Sequence, residues 1–192
     1  SDVCSSDLYL PDAILLIDLP VKEKELRELH LGDIIYLNGL IITARDQAHK
    51  KIIQLNEKGN LPNSLKNLEG SAIYHCGPII RENKGDYEFI SGGPTTSQRM
   101  NSFENEVIDI LKVKFIIGKG GMKSLNTKNY RVIYLSLTGG CGAIIQKKVK
   151  KIVNVELKTL GICEAIWFLE IENFGPLIVS QINEKSLYDQ DF

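Results

Sequence analysis

Lys114-Phe115-Ile116-Ile117-Gly118-Lys119-Gly120-Gly121-Met122 decides how the chain folds: a short apolar run breaks off in a glycine-rich turn that carries one lysine. A run of that length is too short for a helix, and its flanking glycines mark a strand over 114–117, with a turn and a short helix behind it. The same pattern recurs twice. Phe89-Ile90 leads into Ser91-Gly92-Gly93-Pro94, and residues 131–135 lead into Thr138-Gly139-Gly140-Cys141-Gly142. If the three strands are neighbours, their glycine-rich loops meet at one edge of the sheet, where backbone N–H groups and helix N-termini face a ligand.

Outward from these units, apolar runs predict further strands at 71–75, 151–158, 165–171 and 176–180. Asn38-Gly39 stands between the apolar runs 34–37 and 40–43 and reads as the turn of a hairpin. The charged stretch 82–87 reads as a hairpin tip or loop. Helical spacing appears over 20–31, 45–56 and 97–111, the last through Met100, Phe103, Val107, Ile110 and Leu111. Thr95 or Thr96 is placed to cap it. The alternation of strands and helices with no repeat or internal linker predicts one mixed α/β domain layered around one core.

The 192 residues are 43% hydrophobic and 24% charged, with a formal net charge of −1, so a basic nucleic-acid-binding surface is not expected. No apolar run reaches the roughly 18 residues of a membrane span. Residues 13–17 are apolar but meet Asp18 and lack a basic flank and cleavage site, which argues against a signal peptide. The cysteines, at 4, 76, 141 and 163, form no CxxC pair and match no compact metal motif, so a reduced cytoplasmic setting is expected and no metal ligand is assigned. Asp2-Val3-Cys4-Ser5-Ser6-Asp7-Leu8 matches the in-frame translation of a common short-read sequencing adapter. Residues 1–8 are therefore set aside as an artefact, and the expected domain is 9–192 with an unknown native start.

Three cations stand at strand ends beside glycine-rich turns: Arg45 after an apolar strand, Arg99 one turn into the third helix, and Lys119 between glycines. Guanidinium forks bind carboxylates bidentately and a lysine adds a point charge, so the trio suits an anionic substrate. Taken singly, each is equally at home as a surface ion-pair residue. Thr95 and Thr96 are the hydroxyls of their loop that could face such a ligand; on local sequence alone, N-capping accounts for them as well. His49, one turn after Arg45, either holds Asp46 or Arg45's partner in place or is a surface residue, and His75 is equally open.

The motifs together resemble one family. Gly32-Asp33-Ile34-Ile35-Tyr36-Leu37-Asn38-Gly39 and Thr43-Ala44-Arg45-Asp46-Gln47-Ala48-His49 are followed in order by Tyr74-His75-Cys76-Gly77-Pro78, Gly93-Pro94-Thr95-Thr96-Ser97-Gln98-Arg99-Met100, Gly118-Lys119-Gly120-Gly121-Met122, Thr138-Gly139-Gly140, Glu164-Ala165-Ile166-Trp167 and Glu172-Asn173-Phe174. This order, from about residue 20 to the end, is similar to the β-type half of the class I fumarase and tartrate dehydratase family, and is more fumarase-like. The resemblance implies a swivelling β/β/α domain with a mixed sheet and flanking helices. It implies a partner, an α-type subunit or a lost upstream domain in an α2β2 or equivalent assembly, that holds a 4Fe-4S cluster, with none bound by this chain. It implies a small dicarboxylate substrate, most simply fumarate hydrated reversibly to (S)-malate. In that scheme Thr95 takes the C3 proton, and Arg45, Arg99 and Lys119 bind carboxylates, Lys119 serving catalysis as well. L(+)-tartrate dehydration is the alternative on the same scaffold, and a non-catalytic anion-binding subunit is the alternative of another class. Cys76 and Cys141 depart from the small residues the family pattern leads one to expect and read as packing choices.

Overall fold

The computed structural model describes residues 14–123, 125 and 131–187. The adapter-like segment and the short helix expected behind Met122 lie outside, or mostly outside, these residues.

The chain builds β1 (Ile14–Asp18), α1 (Glu23–Glu28), β2 (Ile34–Thr43), α2 (Asp46–Glu57), α3 (Asn63–Lys66) and β3 (Ala72–Tyr74). A hairpin of β4 (Ile79–Asn83) and β5 (Asp86–Ser91) follows, then α4 (Glu104–Leu111), β6 (Phe115–Gly118) and β7 (Ile133–Ser136). The last part holds α5 (Gly142–Gln146), β8 (Val149–Glu156), β9 (Ile166–Ile182) and β10 (Lys185–Ser186). It is an α/β fold with a mixed sheet. β1, β2, β3, β6 and β7 run parallel in that order, and the long β9 pairs antiparallel with both β7 and β2. β9 thereby closes β2, β3, β6 and β7 into a barrel-like ring, with β8 on its outer side.

The parallel strands are apolar throughout because both faces are covered. Ala72, Tyr74, Phe115, Ile117, Ile133 and Leu135 face one buried cluster with Trp167, Leu169 and Phe174. Ile73, Ile116 and Tyr134 face a second, filled by Ala48 and Ile52 of α2 and Val107, Ile108 and Leu111 of α4. This arrangement puts the C-terminal ends of β2, β3, β6 and β7 along one edge.

Several local expectations yield to pairing across the sheet. Asn38-Gly39 is no hairpin turn: β2 runs straight through it, with register shifts against β9 between Ile35 and Leu37 and between Leu37 and Gly39. A glycine is needed there because Gly39 has φ +107° and a Cβ would stand 2.7 Å from the Leu19 carbonyl oxygen, while Asn38 bonds Asp18 and the Asn173 amide. The dipeptide marks a bulge and a close backbone approach. The strands expected at 165–171 and 176–180 are one 17-residue strand that carries Asn173 and Gly175 at positive φ. The expected helix over 97–111 is a 3₁₀ turn (Ser97–Met100) and then α4. It breaks because its start is claimed by the sheet: Thr96 forms a parallel bridge with Lys119, and the Ser97 amide donates to the Lys119 carbonyl at 3.0 Å. Neither threonine caps it, since no side-chain cap bond is made at Thr96 and the Thr95 hydroxyl is used elsewhere. The 82–87 stretch is the tip of the β4–β5 hairpin as expected.

Candidate active site

A cleft of about 450 Å³ opens at the shared strand edge, lined by Arg45, Gly77, Gly93, Pro94, Thr95, Thr96, Arg99 and Lys119. Arg45 follows β2, Gly77 follows β3, and Lys119 follows β6, so three parallel neighbours deliver their first loop residues to one place. Thr95 is held against two of these ends: its N–H donates to the His75 carbonyl at 2.7 Å, and its carbonyl accepts from the Lys119 N–H at 3.3 Å. The structure thus brings Arg45, Thr95, Arg99 and Lys119 together.

Each cation is aimed by a different device. Arg45 lies over Gly77, where a Cβ would stand 2.5 Å from its Nη1, so a side chain at 77 would displace the guanidinium. Its Nε stands 3.4 Å from Glu164 Oε1, and the other oxygen of Glu164 accepts the Gln47 amide of the first turn of α2 at 3.0 Å. Glu164 therefore caps α2 and braces Arg45 at once, a role no local pattern announces. Arg99 donates from Nη2 to the Thr95 hydroxyl oxygen at 2.6 Å, and its Nη1 is a loose 3.9 Å from Asp46. Lys119 precedes Gly120 and Gly121, both in left-handed backbone, and its ammonium makes no ion pair among the described residues. Three cations against two braced carboxylates leave a positive, anion-seeking cleft.

Of the other glycine-rich turns, the one at 92–93 reaches the cleft from the small β4–β5 sheet, and the one at 139–142 packs behind it, with Gly142 against Gly93. Thr138 lies outside the cleft lining and takes the Cys141 thiol on its carbonyl at 2.8 Å.

Beneath the cleft lies a group that sequence reasoning missed. Glu104 is fully buried, with its Oε2 at 2.8 Å from His75 Nε2 and 3.2 Å from His49 Nε2. Burial pushes the Glu104 carboxyl up, but His75 and His49 outweigh it and hold it well below the ordinary carboxylate range. Burial likewise pulls His49 down, and Glu104, the Arg45 carbonyl and Asp46 together raise it above its ordinary value. The available signal was Glu104 itself, a carboxylate spaced with Met100, Val107, Ile108 and Leu111 on a buried stripe.

The donor atoms of His49, His75 and Glu104 lie within 4.8 Å of one another. A tetrahedral ion with bonds near 2.0–2.1 Å spreads its ligands about 3.3 Å apart, whereas His75 and Glu104 are at 2.8 Å, a direct N–H···O⁻ contact. No cysteine belongs to this group. Cys76 is buried, and that burial pushes its thiol up to about 12. Cys141 is partly exposed and Cys163 exposed. Among the described residues, Cys76, Cys141 and Cys163 form no group that fits an iron–sulfur cluster.

The fumarase C-terminus family model matches residues 11–191. A protein of Methanocaldococcus jannaschii named as a putative L(+)-tartrate dehydratase subunit beta is 47% identical over 176 residues, covering 88% of each chain. The L(+)-tartrate dehydratase subunit beta of Escherichia coli is 39% identical, covering 86% of this chain and 81% of its own. A putative class I fumarate hydratase of Geobacillus stearothermophilus is 30% identical over 92% of this chain, which corresponds to 34% of that longer protein. The chain belongs to the fumarase C-terminus family of hydro-lyases, on the side of its β-type subunits.

Proposed function

We propose that the chain is the β half of a hydro-lyase that removes water from, or adds it to, a four-carbon dicarboxylate at a site shared with an α-type partner. The observation that carries this reading is the Thr95 hydroxyl, held 2.6 Å from Arg99 in a cleft with Arg45 and Lys119.

The chemistry follows from those groups. Dehydration takes a proton from the carbon next to one carboxylate and hydroxide from the neighbouring carbon. The Arg45 and Arg99 guanidiniums clamp the two carboxylates and Lys119 adds its charge where negative charge gathers as the proton leaves. Thr95 Oγ1 receives that proton. A free hydroxyl is a poor base, but a guanidinium donor and a neighbouring ammonium favour its anionic form. Arg99 thus both binds substrate and activates Thr95. A 4Fe-4S cluster held by the partner would supply Lewis acidity toward the departing hydroxyl.

On sequence resemblance fumarate comes first; the names of the more similar relatives favour L(+)-tartrate. (S)-Malate, the hydrated form of fumarate, and L(+)-tartrate differ by one hydroxyl on the carbon that gives up its proton, and the cationic clamp suits both. The test is anaerobic reconstitution with the α-type partner and a comparison of turnover on (S)-malate, fumarate and L(+)-tartrate. The complex turns over at least one of them and each subunit alone turns over none. A complex with a full cluster and no activity on any would favour a non-catalytic anion-binding subunit.

A further inference from the structure

A continuous line of fully buried side chains runs under the cleft. Tyr134 OH meets Ser97 Oγ at 2.8 Å, Ser97 Oγ meets His75 Nδ1 at 2.8 Å, and His75 Nε2 meets Glu104 Oε2 at 2.8 Å. From the other side His49 Nε2 meets the same oxygen at 3.2 Å, and His49 Nδ1 meets the Arg45 carbonyl at 2.8 Å. His49, His75, Ser97, Glu104 and Tyr134 are all inaccessible to solvent.

The partners of His49 fix its protons. A carbonyl only accepts, so His49 Nδ1 donates to Arg45. A carboxylate only accepts, so His49 Nε2 donates to Glu104, and His49 is an imidazolium. His75 Nε2 faces the same carboxylate at 2.8 Å, and its Nδ1 shares a hydrogen bond with the Ser97 hydroxyl, which shares one with Tyr134. The line has two outlets. One is the Arg45 carbonyl, at the root of the braced guanidinium. The other is the stretch 95–97: the His75 carbonyl takes the Thr95 N–H at 2.7 Å, and Ser97, two residues on, is gripped by His75 through its side chain and by the Lys119 carbonyl through its amide.

Burying a carboxylate between two imidazoles is an expensive way to fill a core, and an apolar cluster of the same volume would be at least as stable. What the ion pair adds is direction: it locks two loops that hold cleft residues from different strands. We propose that His49, Glu104 and His75, with Ser97, are positioning residues of the hydro-lyase reaction, the His49 arm setting the place of Arg45 and the His75–Ser97 arm setting the place of the Thr95 hydroxyl. The inference rests on the roles given above to Arg45 and Thr95.

The two arms make separable predictions in the reconstituted α–β enzyme. His49→Gln raises KM by about tenfold with a smaller change in kcat, because substrate clamping is disturbed. Ser97→Ala and His75→Gln lower kcat by about tenfold or more with little change in KM, because a displaced Thr95 is no longer in attack geometry. In these two variants the isotope effect on substrate deuterated at the proton-losing carbon rises as that step becomes rate-limiting. Glu104→Gln shows both defects. Should Glu104→Gln fail to fold, Ser97→Ala, which deletes one hydroxyl, still carries the test. Kinetics are normalised to cluster content, so partial unfolding lowers active enzyme without imitating the split. If the folded variants keep KM, kcat and the isotope effect within about twofold of the unaltered enzyme, whatever their melting temperatures, the positioning role is overturned. Thr95→Ala is measured beside them: inactivity there with normal buried variants overturns this inference alone, whereas an active Thr95→Ala overturns the function reading first.

Discussion

Thr95→Ala separates chemistry from structure because the hydroxyl carries so little of the fold. Its side-chain oxygen takes one hydrogen bond, from Arg99, whose side chain is 48% exposed. A bond at such a site contributes about 0.5–1 kcal/mol. For a chain of this size that lowers Tm by roughly 1–4 °C. The threonine caps no helix, so no further loss is due. Loss of a general base costs about 10²–10⁴-fold in rate. The two effects differ in scale enough for one pair of experiments to tell them apart: steady-state turnover of the cluster-replete α–β complex, and thermal unfolding of the same preparations. Thr95→Ser keeps the oxygen and the Arg99 bond and should retain part of the activity, while Thr95→Asp puts a carboxylate among the cations and should be nearly inactive. Turnover of Thr95→Ala within about threefold of the unaltered complex would refute the assignment, and Thr96, exposed beside it in the cleft, would become the next candidate.

Lys119→Ala should reduce kcat/KM by about 10²-fold or more while Tm stays nearly unchanged, since its exposed ammonium makes no ion pair among the described residues. Arg99→Lys keeps the charge but loses the fork that serves substrate and Thr95 together, so it should behave more like Thr95→Ala than like a conservative change; kinetics on the complex decide. Glu164→Gln weakens both the Arg45 brace and the α2 cap, and should cost about 1–2 kcal/mol by chemical denaturation together with a raised KM. Stability should also depend on pH through the buried ion pair. Glu104, held below its ordinary 4.5, stabilises the fold above that value and loses its contribution as pH falls. His49, raised above 6.5, contributes fully below 6.5 and loses its contribution as pH rises through its folded value. Thermal melts should therefore decline on the alkaline side in the unaltered chain and less steeply in His49→Gln.

What the sequence made legible was what is local. The strands around residues 73, 116 and 134 stood out because burial on both faces makes them apolar without alternation. Arg45, Arg99 and Lys119, which line one cleft, could be grouped from the sequence because each lies at a strand end or a glycine-rich turn, and parallel neighbours bring such ends together. Thr95 needed the family pattern, since a threonine before a helical run is equally well a cap. What stayed hidden was set by distant pairing. Asn38-Gly39 carries every local sign of a hairpin, and pairing with β1 on one side and with β9, more than a hundred residues later, on the other holds the strand straight through it. Glu164 meets Gln47 across 117 positions. β1 and α5 were not anticipated at all, and Glu104 drew no reading of its own.

The most direct test of the central claim is a structure of the assembled α–β complex with a non-reacting dicarboxylate bound. The account predicts its carboxylates against Arg45, Arg99 and Lys119, with the carbon that loses the proton facing Thr95 Oγ1. A ligand seated elsewhere, with these four side chains untouched, would contradict it.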